Sequence, residues 1–324
     1  MNFLDSIKVL PTSTRVFVVR AGNGARYREI FEKESKVFLE IPGVAPVSEL
    51  IKQCDTEQIR KLLQRSTDII RTKDPKAVDD YNGDKSSIAS LYGSFLALYT
   101  KAKVGDLVLV PNLGYQAPFL IGEIVSDFSD EDVLSLDRYP KYKIPFRKVR
   151  WLSKDINKKR ASLKLSDKLK NRKAVIEITE KAIKKEIFGY AYKQYVYDDS
   201  SKALLSGEKY DGKNIQGIID TLQALQLLMT QLKIQGDIEI KVNFNSPGSI
   251  NIVGTGAKAI ILAGIVSSCL AGTAYADTKQ DLQESEIIQK CQDAPILDSL
   301  DEETYKEVCD KTQNAGKEIQ LEVP

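Results

Sequence analysis

The stretch "GAKAIILAGIVSSCLAGTAYADTKQ", residues 256–280, decides how the rest of the chain is read. A lysine precedes an apolar run rich in small residues, and Ala-Tyr-Ala then stands before an aspartate. Secretory signals have this composition, but they stand at the N-terminus, whereas this segment begins at residue 256. Residues 259–276 are 18 positions without a charge, near the short end of the roughly 17–25 needed to span a bilayer. Ile260, Ile261, Leu262, Ile265, Val266 and Leu270 favour insertion, while Gly264, Ser267, Ser268, Gly272 and Thr273 oppose it. Two readings follow. One is a membrane helix whose small residues permit close self-association; the other is a fully apolar helix in a protein core.

The flanks favour the membrane. Lys258 and a basic half precede the run, and an acidic tail follows it. Ala-Tyr-Ala-Asp resembles a signal-peptidase junction. Cys291 and Cys309 lie in a 48-residue tail, residues 277–324, which is too small to bury much core and would gain from a disulfide in an oxidising compartment. The expectation is an inner-membrane protein with one span at 258–276. Its N-terminal domain would be cytoplasmic, and its helical acidic tail periplasmic with a Cys291–Cys309 bridge. The alternative is a cytoplasmic protein.

Composition removes several chemistries. Apolar residues make up 42% and charged residues 28% of the 324, so a sizeable core can form. "MNFLDSIKVLPTSTRVFVVR" has no apolar run free of charge, so the bulk of the protein is expected to begin in the cytoplasm. The absence of histidine rules out Ser-His-Asp and Cys-His catalysis and His-ligated zinc. No GxxxxGK[ST] loop is present, and the four cysteines, at 54, 269, 291 and 309, have no CxxC spacing. No cofactor is expected.

The net charge of +2 conceals a polarity: residues 138–173 carry fifteen Lys/Arg against two Asp, and residues 277–324 carry thirteen Asp/Glu against five Lys. The basic stretch could face an anionic polymer. "TRVFVVRAG" and "KVFLEIPGV" read as strands closed by turns, and residues 48–70 as one or two amphipathic helices. "KVGDLVLVPNLGYQAPFLIGEIVSDF", residues 103–128, gives strands at Leu107–Val110 and 119–125 around a Pro- and Gly-containing loop. "KYKIPFRKVRWL" and "KAVIEIT" add two more. Further on come an amphipathic helix with Ile215, Ile218, Leu225 and Leu228, and an alternating strand, "GDIEIKVNFN". The fold class is α+β. A small β-barrel with surrounding helices would fill residues 1–185, followed by a helix-strand or oligomerisation segment (186–257), the span and the tail.

The order "VVRAG", a helix, "KVGDLVLVP", "FLIGEI", a basic stretch and "VRWL" resembles the N-terminal module of Mrr-type restriction endonucleases. More loosely it is similar to EVE and other PUA-like base-reading domains. The resemblance covers about half the chain. It implies a small PUA-like barrel that binds a nucleic acid or nucleotide, as several such domains do with a base in an aromatic pocket. A Mrr-type chain would continue into a nuclease domain with a D/E-x-K tripeptide, and "DIEIK" contains Glu239 and Lys241 at that spacing. An alternating strand favours the same tripeptide on its solvated face, and the nearest suitable acid, Asp220, sits in a helix pattern.

The candidate binding residues are Arg20, Asn23, Asn112, Tyr115, Arg138, Tyr142, Arg147, Arg150 and Trp151. Arg20 and Asn23 flank a glycine at a strand end, and Tyr115 would form a pocket lip. Trp151 fits a core position at least as well as a stacking one. Five phosphate contacts on duplex DNA would give log K against log salt a slope of roughly −4 to −5. Taken together, these features suggest an oligomeric bacterial anti-phage sensor acting through the membrane, with a possible second subunit as partner. The alternatives are a soluble Mg²⁺-dependent DNA nuclease and a non-enzymatic nucleic-acid-binding adaptor.

Overall fold

The runs VFVV, LVLV and FLIGEI become neighbouring strands in which every residue is buried. Unbroken apolar runs suit strands covered on both faces, where no polar alternation is required. The computed structural model of the protein describes residues 3–73, 85–114, 117–244 and 248–324. The chain divides into two compact units, residues 13–191 and residues 1–12 with 192–324. A first short strand, β1 (Lys8–Leu10), belongs to the second unit.

Within residues 13–191 the order begins β2 (Val16–Val19), α1 (Arg28–Glu34), β3 (Lys36–Phe38), α2 (Val47–Gln53), α3 (Thr56–Lys73) and α4 (Lys85–Leu96). It continues with β4 (Leu107–Val110), β5 (Phe119–Ile124), β6 (Val133–Leu134), β7 (Ile144–Ile156), α5 (Leu163–Lys170), β8 (Val175–Ile178) and α6 (Lys181–Ala191). The sheet runs β3-β7-β5-β4-β2-β8, with β6 against the start of β7. β2 and β4 are parallel, and β4-β5 and β5-β7 are antiparallel. Register shifts between Phe119 and Gly122 bend the β5–β7 ladder, since an irregularity of this kind sharpens local twist. The sheet therefore curls into a half-barrel. β3 and β8 stay at its two ends, where the sequence suggests a closed barrel.

The second unit adds β9 (Tyr195–Tyr197), β10 (Ser200–Gly207), α7 (Ile215–Gln231), β11 (Ile238–Asn243), β12 (Gly248–Thr255) and α8 (Lys258–Ala271). It closes with α9 (Tyr275–Glu284), α10 (Glu286–Lys290), α11 (Glu302–Ile319) and β13 (Leu321–Glu322). Its sheet runs β1-β9-β10-β12-β11, with β13 on β10. α8 packs on β10 and β12, and α7, α9 and α11 pack on α8.

This arrangement corrects the membrane reading. Among the described residues no helix is long and apolar enough to cross a membrane. α8 has 14 residues, or about 21 Å at 1.5 Å per residue, against roughly 30 Å of hydrocarbon. Gly272, at φ 72°, ends it by directing its N–H to Cys269 and Ser268 carbonyls. Ile260, Ile261, Leu262, Ile265 and Val266 are completely buried among protein neighbours. The small residues serve those contacts: a side chain on Gly264 would meet Leu282 of α9 at 2.7 Å. Lys258, read as a membrane flank, pairs with Asp237 and Asp293 at 3.6 Å each. Ala-Tyr-Ala-Asp opens α9, where the Tyr275 hydroxyl donates to the Leu300 carbonyl at 2.5 Å.

The span at 258–276 and the inner-membrane location built on it are replaced by one core that includes the tail. The acidic segment is part of that core through Tyr305, Val308, Ala315 and Ile319. The disulfide joins Cys309 to Cys269 on α8, and Cys291 and Cys54 are free thiols.

Candidate functional site

A cavity of about 680 Å³ opens within residues 13–191. Arg20, Gly22, Asn23 and Gly24 form one side and Leu39, Glu40 and Thr67 another. The first turns of α4 (Ser87, Ile88, Ser90, Leu91, Ser94), Leu113, and Arg172–Ala174 complete it. Cations, hydroxyls and apolar surface thus face one space, the mixture that orients a small polar ligand.

Local structure explains each position. β2 stops at Val19, and Gly22 turns the chain at φ 73°. A Cβ at Gly22 would sit 2.6 Å from the Tyr27 ring, so only glycine lets that ring fold back. The Tyr27 hydroxyl, with that of Tyr139 at 2.7 Å, donates to Oε1 of Glu40. Burial, reinforced by Glu40, pushes both phenols well above their ordinary value, so they remain protonated donors. Glu40 is 6% exposed, with the Arg26 guanidinium 4.0 Å away.

Arg20 is fixed by carbonyls: Nε donates to Asn171 at 2.6 Å and Nη2 to Leu169 at 3.1 Å, at the C-terminal end of α5. Burial first, and then Arg172, lowers its pKa. Beside the cavity Lys158 donates to the Asn112 and Gly114 carbonyls at 2.6 and 2.9 Å. Its pKa is lowered by burial and then by Arg20 and Arg28. No ion pair joins Arg20, Lys158, Arg172 or Lys173 to a carboxylate among the described residues.

Of the residues singled out from sequence, Arg20 and Asn23 line the cavity, and the Asn112 carbonyl accepts from Lys158. Tyr115 lies outside the described residues. The Arg138 guanidinium lies over the Tyr139 ring, 5.9 Å from its centroid. Tyr142 is at the surface, its ring beside Gly43. The structure uses the other three internally. Arg147, 2% exposed, donates to the Leu98, Ala102 and Ser126 carbonyls. Arg150 pairs with Glu123 at 2.5 Å. Trp151 lies over Gly122 and donates to the Phe31 carbonyl at 3.2 Å.

Glu239 and Lys241 pair with each other at 3.1 Å on β11, an edge strand. Among the described residues no group of three or more acidic or sulfur side chains could hold a metal ion. Sequence reasoning missed Glu40, Lys158, Arg172, Lys173 and the α4 serines. Glu40 had a visible signal, as the one charge in "VFLEIPGV", and the serines at 87, 90 and 94 share one helical face. Compared with known protein families, curated proteins and solved structures, the chain has no match.

Proposed function

We propose that residues 13–191 bind a nucleotide or nucleic acid in this cavity, as the resemblance to base-reading modules suggests. The observation that carries the reading is the convergence of Arg20, Arg172 and Lys173, without carboxylate partners, on a cavity that also offers apolar surface and a buried carboxylate. Cations of this kind recognise phosphate. Leu39, Ile88, Leu91 and Ala174 offer a flat base a dry surface. The restriction-type resemblance supports detection of foreign nucleic acid in anti-phage defence as the biological setting.

The test is calorimetric titration with nucleotides, RNA and DNA, repeated on an Arg172→Ala/Lys173→Ala variant. Loss of two charge-assisted contacts should weaken binding by roughly tenfold to a hundredfold or more. Both residues are exposed, so the unfolding temperature should hold. Unchanged affinity in the variant would place the ligand elsewhere, and no binding at all would end the reading.

A further inference from the structure

We infer that the ligand carries a free terminal phosphate, seated against Arg20 and Arg172 of the cavity lining with Lys158 held beside Leu113, and that the interior of a strand is not what the cavity takes. This rests on the nucleotide-or-nucleic-acid reading of the cavity and narrows it to phosphomonoesters and polyphosphates.

Two of the cations are tethered to backbone: Arg20 is held by Asn171 and Leu169, and Lys158 by Asn112 and Gly114. Backbone carbonyls fix these side chains in place but bring no full negative charge. Arg20, Lys158 and Arg172 have no carboxylate partner among the described residues. Like charges brought together where water is partly excluded repel one another. A group bearing two or more negative charges offsets that repulsion better than a phosphodiester, which carries one.

Six further cations of the basic stretch already have partners within the protein. A strand-binding groove needs cations available along the backbone. Lys148, Arg150, Lys154, Lys168 and Lys170 instead pair with Asp132, Glu123, Glu32, Glu180 and Asp167. Arg147 is spent on internal carbonyls. On the cavity lining Arg20, Arg172 and Lys173 remain without a carboxylate partner among the described residues.

The experiment is calorimetry on the full chain with the four nucleoside 5′-monophosphates, their nucleosides, a dinucleoside monophosphate and pyrophosphate. A single strand with and without a 5′-phosphate completes the set. At least one monophosphate should bind roughly tenfold or more tighter than its nucleoside and than the dinucleoside monophosphate. Lys158→Gln should erase that difference while leaving nucleoside affinity unchanged. Arg172→Gln, at an exposed position, makes the same test should Lys158→Gln fold poorly. Equal binding of nucleoside and monophosphate overturns the terminal-phosphate assignment and leaves the base pocket standing. So does equal binding of the strand with and without its 5′-phosphate. Binding of pyrophosphate alone, with no base-containing probe, removes the nucleotide reading and keeps the anion site. No binding by any probe removes both.

Discussion

A guanidinium that is 2% exposed needs acceptors inside the protein, and Arg147 directs its two terminal nitrogens to three carbonyls where the helical segment after α4 ends and β5 exits, while its Nε has no partner among the described residues. Lysine has one head group and cannot reach all three, so Arg147→Lys should cost about 3 kcal/mol in denaturant unfolding. A cost under about 0.5 kcal/mol would show that water already reaches those carbonyls. Gly256 is similarly committed, at φ +56° with Asp293 Oδ2 2.2 Å from where a Cβ would lie. The same oxygen accepts the Ala257 N–H at 2.6 Å, so Gly256→Ala combines backbone strain with displacement of a helix cap and should lose roughly 2–4 kcal/mol. At this scale the sequence was legible where geometry is local. Arg20 and Asn23 beside Gly22 could be placed at a strand end. Arg147, Arg150 and Trp151 have the right chemistry for a ligand. Their partners lie between 21 and 120 residues away in sequence, and nothing in the local pattern indicates them.

Helix α8 shows where elements become ambiguous. Hydropathy and small-residue content are the same for a membrane helix and a helix buried on every side; what differs is the neighbour, protein or lipid. The strands of the half-barrel were legible because their apolar runs are short and bounded by Gly and Pro. The pairing of Cys309 depended on α11 lying against α8, which no cysteine spacing encodes. Leu262→Ala should cost about 2–5 kcal/mol, as for other large-to-small core changes, and thermal unfolding would reveal a surface position as a shift near zero. On β10, burial pushes the Lys202 ammonium down to about 8 from 10.5. Its folded pKa lies below the unfolded one, so between those values the unfolded chain holds the extra proton. The penalty is full below pH 8 and fades toward pH 10.5. Lys202→Met should therefore be more stable than wild type at pH 7, with an advantage that shrinks by pH 10. A pH-independent difference would mean that Lys202 is solvated.

Across the whole molecule, charge bookkeeping changes the expected binding physics. Three phosphate contacts on a single strand give a slope of about −2 for log K against log salt, shallower than the −4 to −5 expected for five contacts on duplex DNA. A measured slope near −5 would mean that cations beyond the cavity engage on binding. The two units differ in how the chain supplies them. Residues 13–191 are continuous, whereas the other unit is assembled from both ends, with β1 lying parallel to β9 from Lys8–Tyr195 to Leu10–Tyr197. During synthesis, β1 therefore leaves the ribosome long before its partner exists. At about 5–20 residues per second the intervening segment takes on the order of ten to forty seconds to appear. Through that interval the N-terminal strand is an unpaired edge on a nascent chain whose first unit has had time to fold, and chaperone capture there would be a matter of timing.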